Sequence, residues 1–203
     1  MVAPYCRYQR GVALLPRDIE TRHHAVTAMP LRFFDILALI GLSLVLLVAF
    51  YYQLVLGEFP CPLCLLQRVG FIVAGVAVIL NLTNGQKPAH YGLILLAAIA
   101  AGSASLRQIS LHVIPNTGSY GSALWGFHFY TWAFIGYGAL ATYAAIILIT
   151  GRFEGAPPPR ISGAAKVACW LFIMLVGANL LSTFAECGFG SCPDDPTGWL
   201  WSR

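Results

Sequence analysis

Apolar positions in this chain do not alternate with polar ones; they run on in five blocks separated by short polar breaks. The blocks cover residues 33–54, 65–82, 91–114, 129–150 and 167–185. Each approaches the roughly 20 residues that an α-helix needs to cross the hydrocarbon of a bilayer. A run that is apolar on every side predicts a helix surrounded by lipid or by other helices. The breaks, such as 83–88 and 151–163 with Pro157, Pro158 and Pro159, are rich in Gly, Pro, Asn and charge and read as turns. The pattern therefore predicts an all-α membrane protein, a four-helix transmembrane bundle plus a fifth C-terminal transmembrane helix. Within the third block, residues 97–104 read Ala-Ala-Ile-Ala-Ala-Gly-Ser-Ala, a small-residue stretch that predicts close helix packing and not a cofactor motif.

Composition agrees: 58% of the residues are hydrophobic and only 10% charged, which sets aside a soluble globular core. The placement of charge adds an orientation. Arg7, Arg10, Arg17, Arg22, Arg32, Lys87, Arg152, Arg160 and Lys166 fall on one side of the predicted spans, and only Arg68, Arg107 and Arg203 towards the other. By the positive-inside rule the first group marks the cytoplasm, so the N-terminus is expected inside and, after five crossings, the C-terminus outside. The net charge of +4 needs no nucleic acid to explain it. Three regions follow: a basic cytoplasmic arm at 1–30, a helical bundle at 31–185 and an extracytoplasmic tail at 186–203.

The arm contains His23-His24 and no apolar run of signal-peptide length, and no structured domain is expected there. Met29 stands directly before Pro-Leu-Arg-Phe-Phe and the first span, which makes it an alternative translational start. Peptides from residues 1–28 in the native protein would reject that expectation. A basic arm resting on anionic lipid is the competing reading.

Cysteine positions become informative once topology is assigned without them. Cys61 and Cys64 fall in the first external connector, and Cys187 and Cys192 in the tail on the same, oxidising side. Cys6 lies in the arm and Cys169 within the fifth span, where it reads as a small packing residue. Two external pairs allow structural disulfides, a four-cysteine zinc site, or disulfide exchange between pairs. Exchange accounts for more of the surroundings. A helix begins near Cys64, and its unpaired N–H groups favour a thiolate there. Arg68 follows at i+4 on the same helix face, about 6 Å along the axis, placed to stabilise that thiolate or to hold an oxygen-bearing redox ligand. The second pair is expected to swing on a flexible glycine-containing tail.

Cys61-Pro62-Leu63-Cys64, the Gln67-Arg68 that follows, and the order of the first four spans resemble the disulfide-bond-formation protein B (DsbB) membrane oxidases. The resemblance covers roughly residues 31–150. It implies a thiol:quinone oxidoreductase of the bacterial inner membrane, in which Cys61 and Cys64 form the disulfide that a quinone, ubiquinone or menaquinone, regenerates. It further implies that Cys64 faces the quinone ring, that Arg68 holds the quinone, and that the partner is a soluble periplasmic thioredoxin-like dithiol protein of the DsbA kind. The chain departs from the family in one respect. The family's second cysteine pair lies between the third and fourth spans, whereas the corresponding loop here, about 115–127, has no cysteine. Cys187 and Cys192, delivered to the same side by the fifth span, are the expected replacement as the partner-facing pair.

Arg107, His112 and His128 lie near the external face and are candidates for contact with a quinone head group. Trp125, Phe127, Phe129, Tyr130 and Trp132 read first as an interfacial belt. In the tail, Asp194 and Asp195 read as a solvated turn ahead of an interfacial anchor at Trp199 and Trp201. Two other function classes fit some of the residues. One is an electron-exporting thiol protein resembling vitamin K epoxide reductases, although the order of the two pairs is reversed. The other is a non-enzymatic membrane protein with structural disulfides or zinc.

Overall fold

The computed structural model describes residues 17–114, 118–151, 153, 161–194, 196 and 198–200, with side chains from residue 31 onward. Cys6, Arg7, Arg10, Arg152, Pro157, Pro158, Pro159, Arg160, Asp195, Trp201 and Arg203 lie outside the described residues. The elements in order are α1 (Arg17–Val55), α2 (Pro62–Asn84), α3 (Pro88–His112), a small hairpin of β1 (Ala123–Leu124) and β2 (Phe127–His128), α4 (Phe129–Thr150) and α5 (Gly163–Cys187). Leu31–Val55 of α1 and the whole of each other helix are long and apolar enough to cross a membrane. The chain is an all-α, multi-pass membrane protein.

Helix ends differ from the apolar blocks in an orderly way. Counting hydrophobic residues starts the second helix at residue 65, but α2 begins at Pro62, and α3 likewise begins at Pro88. Proline suits the first helical position because its φ is already helical and the amide it lacks would have had no partner. At α5, Ser162 caps the start by accepting from the Ala165 amide, and the helix runs two residues past its apolar block to Cys187. Gly188, at φ 63°, ends it while its N–H bonds the Phe184 carbonyl at 2.8 Å. The expectation that the second pair rides on a free tail is thus corrected: Cys187 is the last residue of a helix, and only Cys192 lies on the loop beyond. At the N-terminus, the backbone of α1 is helical from Arg17, ahead of its apolar block.

Packing rests on small residues, as residues 97–104 predict. Ala97, Ala98, Ala101 and Ala104 of α3 are buried while Ile99 faces outward. Gly70 of α2 sits so close to α3 and α4 that a Cβ there would run into Ala101 and the Tyr137 hydroxyl. A Cβ on Gly75 would run into the Phe172 ring of α5. Between these contacts Tyr137 stacks on Phe71 at 4.2 Å and donates its hydroxyl hydrogen to the Gln67 carbonyl. Cys169 packs against the same core, as its sequence position suggests. Leu37, Ile40, Leu44, Leu96 and Ile149 are exposed, which in a bundle of this length is the face that meets lipid.

Polar side chains inside the bundle gather at its two ends. At the end opposite Cys61–Cys64, the buried carboxylate of Asp35 accepts from Asn81 (3.3 Å), Gln86 (2.9 Å), Tyr91 (3.1 Å) and Tyr143 (2.7 Å). Asn81 in turn accepts from His90 Nδ1 at 2.9 Å. This knot ties together α1, α2, α3, α4 and the α2–α3 connector. The other end holds the cysteines.

Candidate active site at the cysteine end

Both cysteine pairs are closed as disulfides, Cys61–Cys64 with Cα atoms 5.0 Å apart and Cys187–Cys192 with Cα atoms 4.8 Å apart. Cys61 is buried and is the N-cap of α2. Its Sγ accepts the Cys64 amide N–H at 3.2 Å. Cys64 does lie near the helix start, as its sequence position suggests, while its own amide reaches the Cys61 sulfur. Because α2 begins at Pro62, Cys64 already lies in the first turn, and the free amide serves the sulfur one turn back.

What faces the Cys64 sulfur comes from α3. Gln108, 2% exposed, places its Nε2 3.4 Å from Cys61 Sγ and 3.5 Å from Cys64 Sγ, while its Oε1 accepts from Gln67 Nε2 at 2.8 Å. Neither amide role was legible in the sequence. The sequence marks Gln67 only as part of the motif, and marks the charged Arg107 one position before Gln108. Arg107 itself is exposed.

Arg68 points into the same region but is held by other helices. Its Nη1 donates to Gln53 of α1 at 2.7 Å and Asn179 of α5 at 3.3 Å, and its Nη2 donates to the Ala49 carbonyl at 3.2 Å. Gln53 is oriented by its own donation to Glu186 Oε2 at 3.1 Å. The fifth helix is therefore part of the site: it supplies Asn179 to the arginine, and Glu186, the neighbour of Cys187, to the amide behind it. The signal that could have found this network is Glu186, an ionisable residue one position beyond the predicted fifth span.

Beside these groups lies a cavity of about 560 Å³ lined by Cys64, Gln67, Arg68, Gln108 and apolar side chains of α1, α2 and α4. Trp125, Phe129, Tyr130 and Trp132 line it too, so four of the five residues read as an interfacial belt also wall this space. Arg107, His112 and His128 do not line it. The two histidines instead stack on Tyr130, at 5.6 and 5.3 Å between ring centroids.

The loop between α3 and α4 is fastened over this end. Glu58 accepts from the Ser122 amide at 3.0 Å and from the Ser122 hydroxyl, and Tyr120 donates to the Phe59 carbonyl at 2.7 Å. The hairpin turns through Trp125 and Gly126, both with positive φ (52° and 84°), the signature of a type I′ turn. Trp125 is held there edge-on to Trp132 at 6.0 Å. The C-terminal segment returns to the same place: Trp199 packs edge-on against Phe59 at 5.0 Å, two residues before Cys61. Asp194 is exposed.

Comparison with known proteins gives a consistent result. Residues 31–120 match the family model described as "Disulfide bond formation protein DsbB". The chain is 45% identical over 74 residues to disulfide bond formation protein B of Marinobacter nauticus, which is 34% of this chain and 44% of that protein. It is 42% identical over 71 residues to the protein of the same name from Chromobacterium violaceum, 33% of this chain and 43% of that protein. A third, from Stutzerimonas stutzeri, is 35% identical over 86 residues, 39% of this chain and 52% of that protein. The chain thus spans about half the length of the curated relatives it matches. No solved structure matches it.

Proposed function

We propose that this chain, whose residues 31–120 match the disulfide bond formation protein B family model, is a membrane thiol:quinone oxidoreductase of that family. It reoxidises a soluble thioredoxin-like dithiol protein of the DsbA kind by disulfide exchange and passes the electrons to ubiquinone or menaquinone. We place it in the bacterial inner membrane, N-terminus in the cytoplasm and C-terminus in the periplasm. The observation that carries the reading is the shared cavity: the Cys61–Cys64 disulfide opens through Cys64 onto the same apolar space as Arg68.

A quinone suits that space in size and lining. Ligand pockets typically measure about 300–1,000 Å³, are mostly apolar, and carry a few convergent polar groups. Arg68 would hold a quinone oxygen and Cys64 would face the ring. When bound, the quinone supplies a sink for two electrons and two protons, which lets Cys61 and Cys64 close again as a disulfide.

The remaining steps belong to the chain's own sulfurs. A partner thiolate attacks the Cys187–Cys192 bond, and the partner's second thiol resolves the mixed disulfide, leaving the partner oxidised and the tail as a dithiol. A tail thiolate then attacks Cys61 Sγ, the Cys61–Cys64 bond breaks, and its electron pair leaves on Cys64 Sγ. The second tail thiol closes Cys187–Cys192 again, so Cys61 and Cys64 end as the reduced pair. Placement supports the role of the tail: Glu186, next to Cys187, joins the Arg68 network, and Trp199 rests on Phe59.

Anaerobic reduction of soluble ubiquinone and menaquinone analogues by a reduced thioredoxin-like protein tests the reading, with wild type compared against a Cys187→Ala/Cys192→Ala variant. Turnover by wild type alone is expected. Equal turnover by both would make the tail pair structural and send the partner directly to Cys61–Cys64. No hydroquinone from wild type would overturn the oxidase assignment.

A further inference from the structure

We propose that Gln108, held in register by Gln67, is a catalytic residue: its carboxamide N–H stabilises the negative charge that appears on Cys64 Sγ when the Cys61–Cys64 bond opens. The inference rests on the reading of Cys61–Cys64 as the pair that hands electrons onward, and adds the group that receives the charge.

Three observations converge on it. First, the Cys64 amide in the first turn of α2 donates to Cys61 Sγ at 3.2 Å and so serves the other sulfur. Second, the Arg68 hydrogen bonds run to Gln53, Asn179 and the Ala49 carbonyl, on α1 and α5. Third, Gln108 Nε2 stands 3.4 Å from Cys61 Sγ and 3.5 Å from Cys64 Sγ, near enough to follow charge from one sulfur to the other.

The direction of the Gln108 amide follows from chemistry. A disulfide carries no proton, so an amide oxygen against it would set lone pairs on lone pairs, whereas N–H makes a weak bond to either sulfur. Gln67 completes the assignment by donating to Gln108 Oε1 at 2.8 Å, which holds the nitrogen towards the sulfurs. Both amides are buried, Gln67 at 6% and Gln108 at 2% exposure. Little water competes with the bond, and a donor fixed in advance needs no reorganisation as charge develops.

As an incoming thiolate bonds to Cys61 Sγ, the electron pair of the breaking bond moves to Cys64 Sγ. There the neutral N–H···S contact becomes a charge-assisted one, roughly twice as strong. Once Cys64 is protonated, Gln108 Oε1, 3.9 Å from its Sγ, is within reach of the thiol hydrogen. One carboxamide therefore serves both the thiolate and the thiol.

Alkylation of the reduced full-length protein tests this without relying on quinone or partner turnover, so a failure of the oxidase reading would not masquerade as a failure here. The rate of iodoacetamide labelling is read peptide by peptide by mass spectrometry at pH 7 for wild type, Gln108→Met and Gln108→Glu. Gln108→Met keeps volume and removes the donor. A tenfold loss of thiolate, partly offset by the greater nucleophilicity of the remainder, should slow Cys64 labelling about three- to fivefold. Gln108→Glu, which sets a carboxylate where the donor stood, should slow it further. Cys61 keeps the Cys64 amide and should change less, and Cys169 reports unfolding by becoming reactive. A ratio of Cys64 to Cys61 labelling unchanged in folded Gln108→Met overturns the proposal. If that variant does not fold, Gln67→Met, which frees the amide to rotate, decides instead: twofold or greater slowing at Cys64 supports the proposal and an unchanged rate overturns it.

Discussion

The two polar clusters of this bundle use similar side chains for opposite purposes. At one end, four donors converge on the fully buried Asp35 carboxylate from three helices and a connector. At the other end, Gln67, Gln108 and Arg68 are held almost as firmly, yet each also borders a cavity of about 560 Å³. A buried polar group in an apolar bundle must find partners or destabilise the fold. Where the partners fill the space, the result is a staple. Where they leave room beside a disulfide, the result is a site. Adjacency to open, apolar volume separates the two, not polarity or burial.

The comparison is broken most decisively by removing a reacting atom. Cys64→Ala should abolish quinone reduction, a loss of at least about a thousandfold followed as hydroquinone absorbance, because no other group can take its place as donor. Asp35→Ala should leave turnover per folded molecule within about twofold of wild type. Its effect belongs to stability: with Tyr91, Tyr143, Asn81 and Gln86 deprived of their acceptor, unfolding in detergent should become easier by about 2–4 kcal/mol. A raised quinone KM in that variant would show that the staple and the site are coupled.

Two smaller effects sharpen the functional end. Arg68→Lys keeps the charge but cannot reproduce the fork that reaches Gln53, Asn179 and the Ala49 carbonyl at once. Quinone KM should rise about tenfold, or about 1.4 kcal/mol, while thiol exchange with the partner is nearly unchanged; equal loss of both would point to misfolding. Glu186→Gln removes the charge behind Gln53 and should raise quinone KM about two- to threefold. No change at all would detach the fifth helix from the proposed quinone site.

Much of the fold was open to reading from hydrophobicity. The five spans follow from block length alone, and the fourth agrees with its helix at both ends, 129–150. The helix starts were missed where proline opens a helix ahead of its apolar run, and this shift of three residues at α2 is what gave the helix amide to Cys61 and not Cys64. The cysteine pairs and Arg68 were legible because their spacing is local. Gln108, Gln53, Asn179 and Glu186 were not, since each matters only through a neighbour 15 to 133 positions away in the chain. Asp35 did carry a signal, being an acidic residue within an apolar block, and Glu186 stands one residue past the end of another. The same signal marks Arg107, which the fold leaves exposed.

The sequence by itself determined that this chain has five helices long and apolar enough to cross a membrane, with two cysteine pairs at their ends, because bilayer thickness acts on residues one segment at a time. Which sulfur the helix caps, which amide faces the other, and where an apolar cavity remains were decided only by tertiary structure, because those depend on how closely α1, α2, α3, α4 and α5 approach one another. Gly70 and Gly75 set part of that approach by lacking a Cβ. Distance between side chains on different helices is a property of packing, and no spacing along a single chain encodes it.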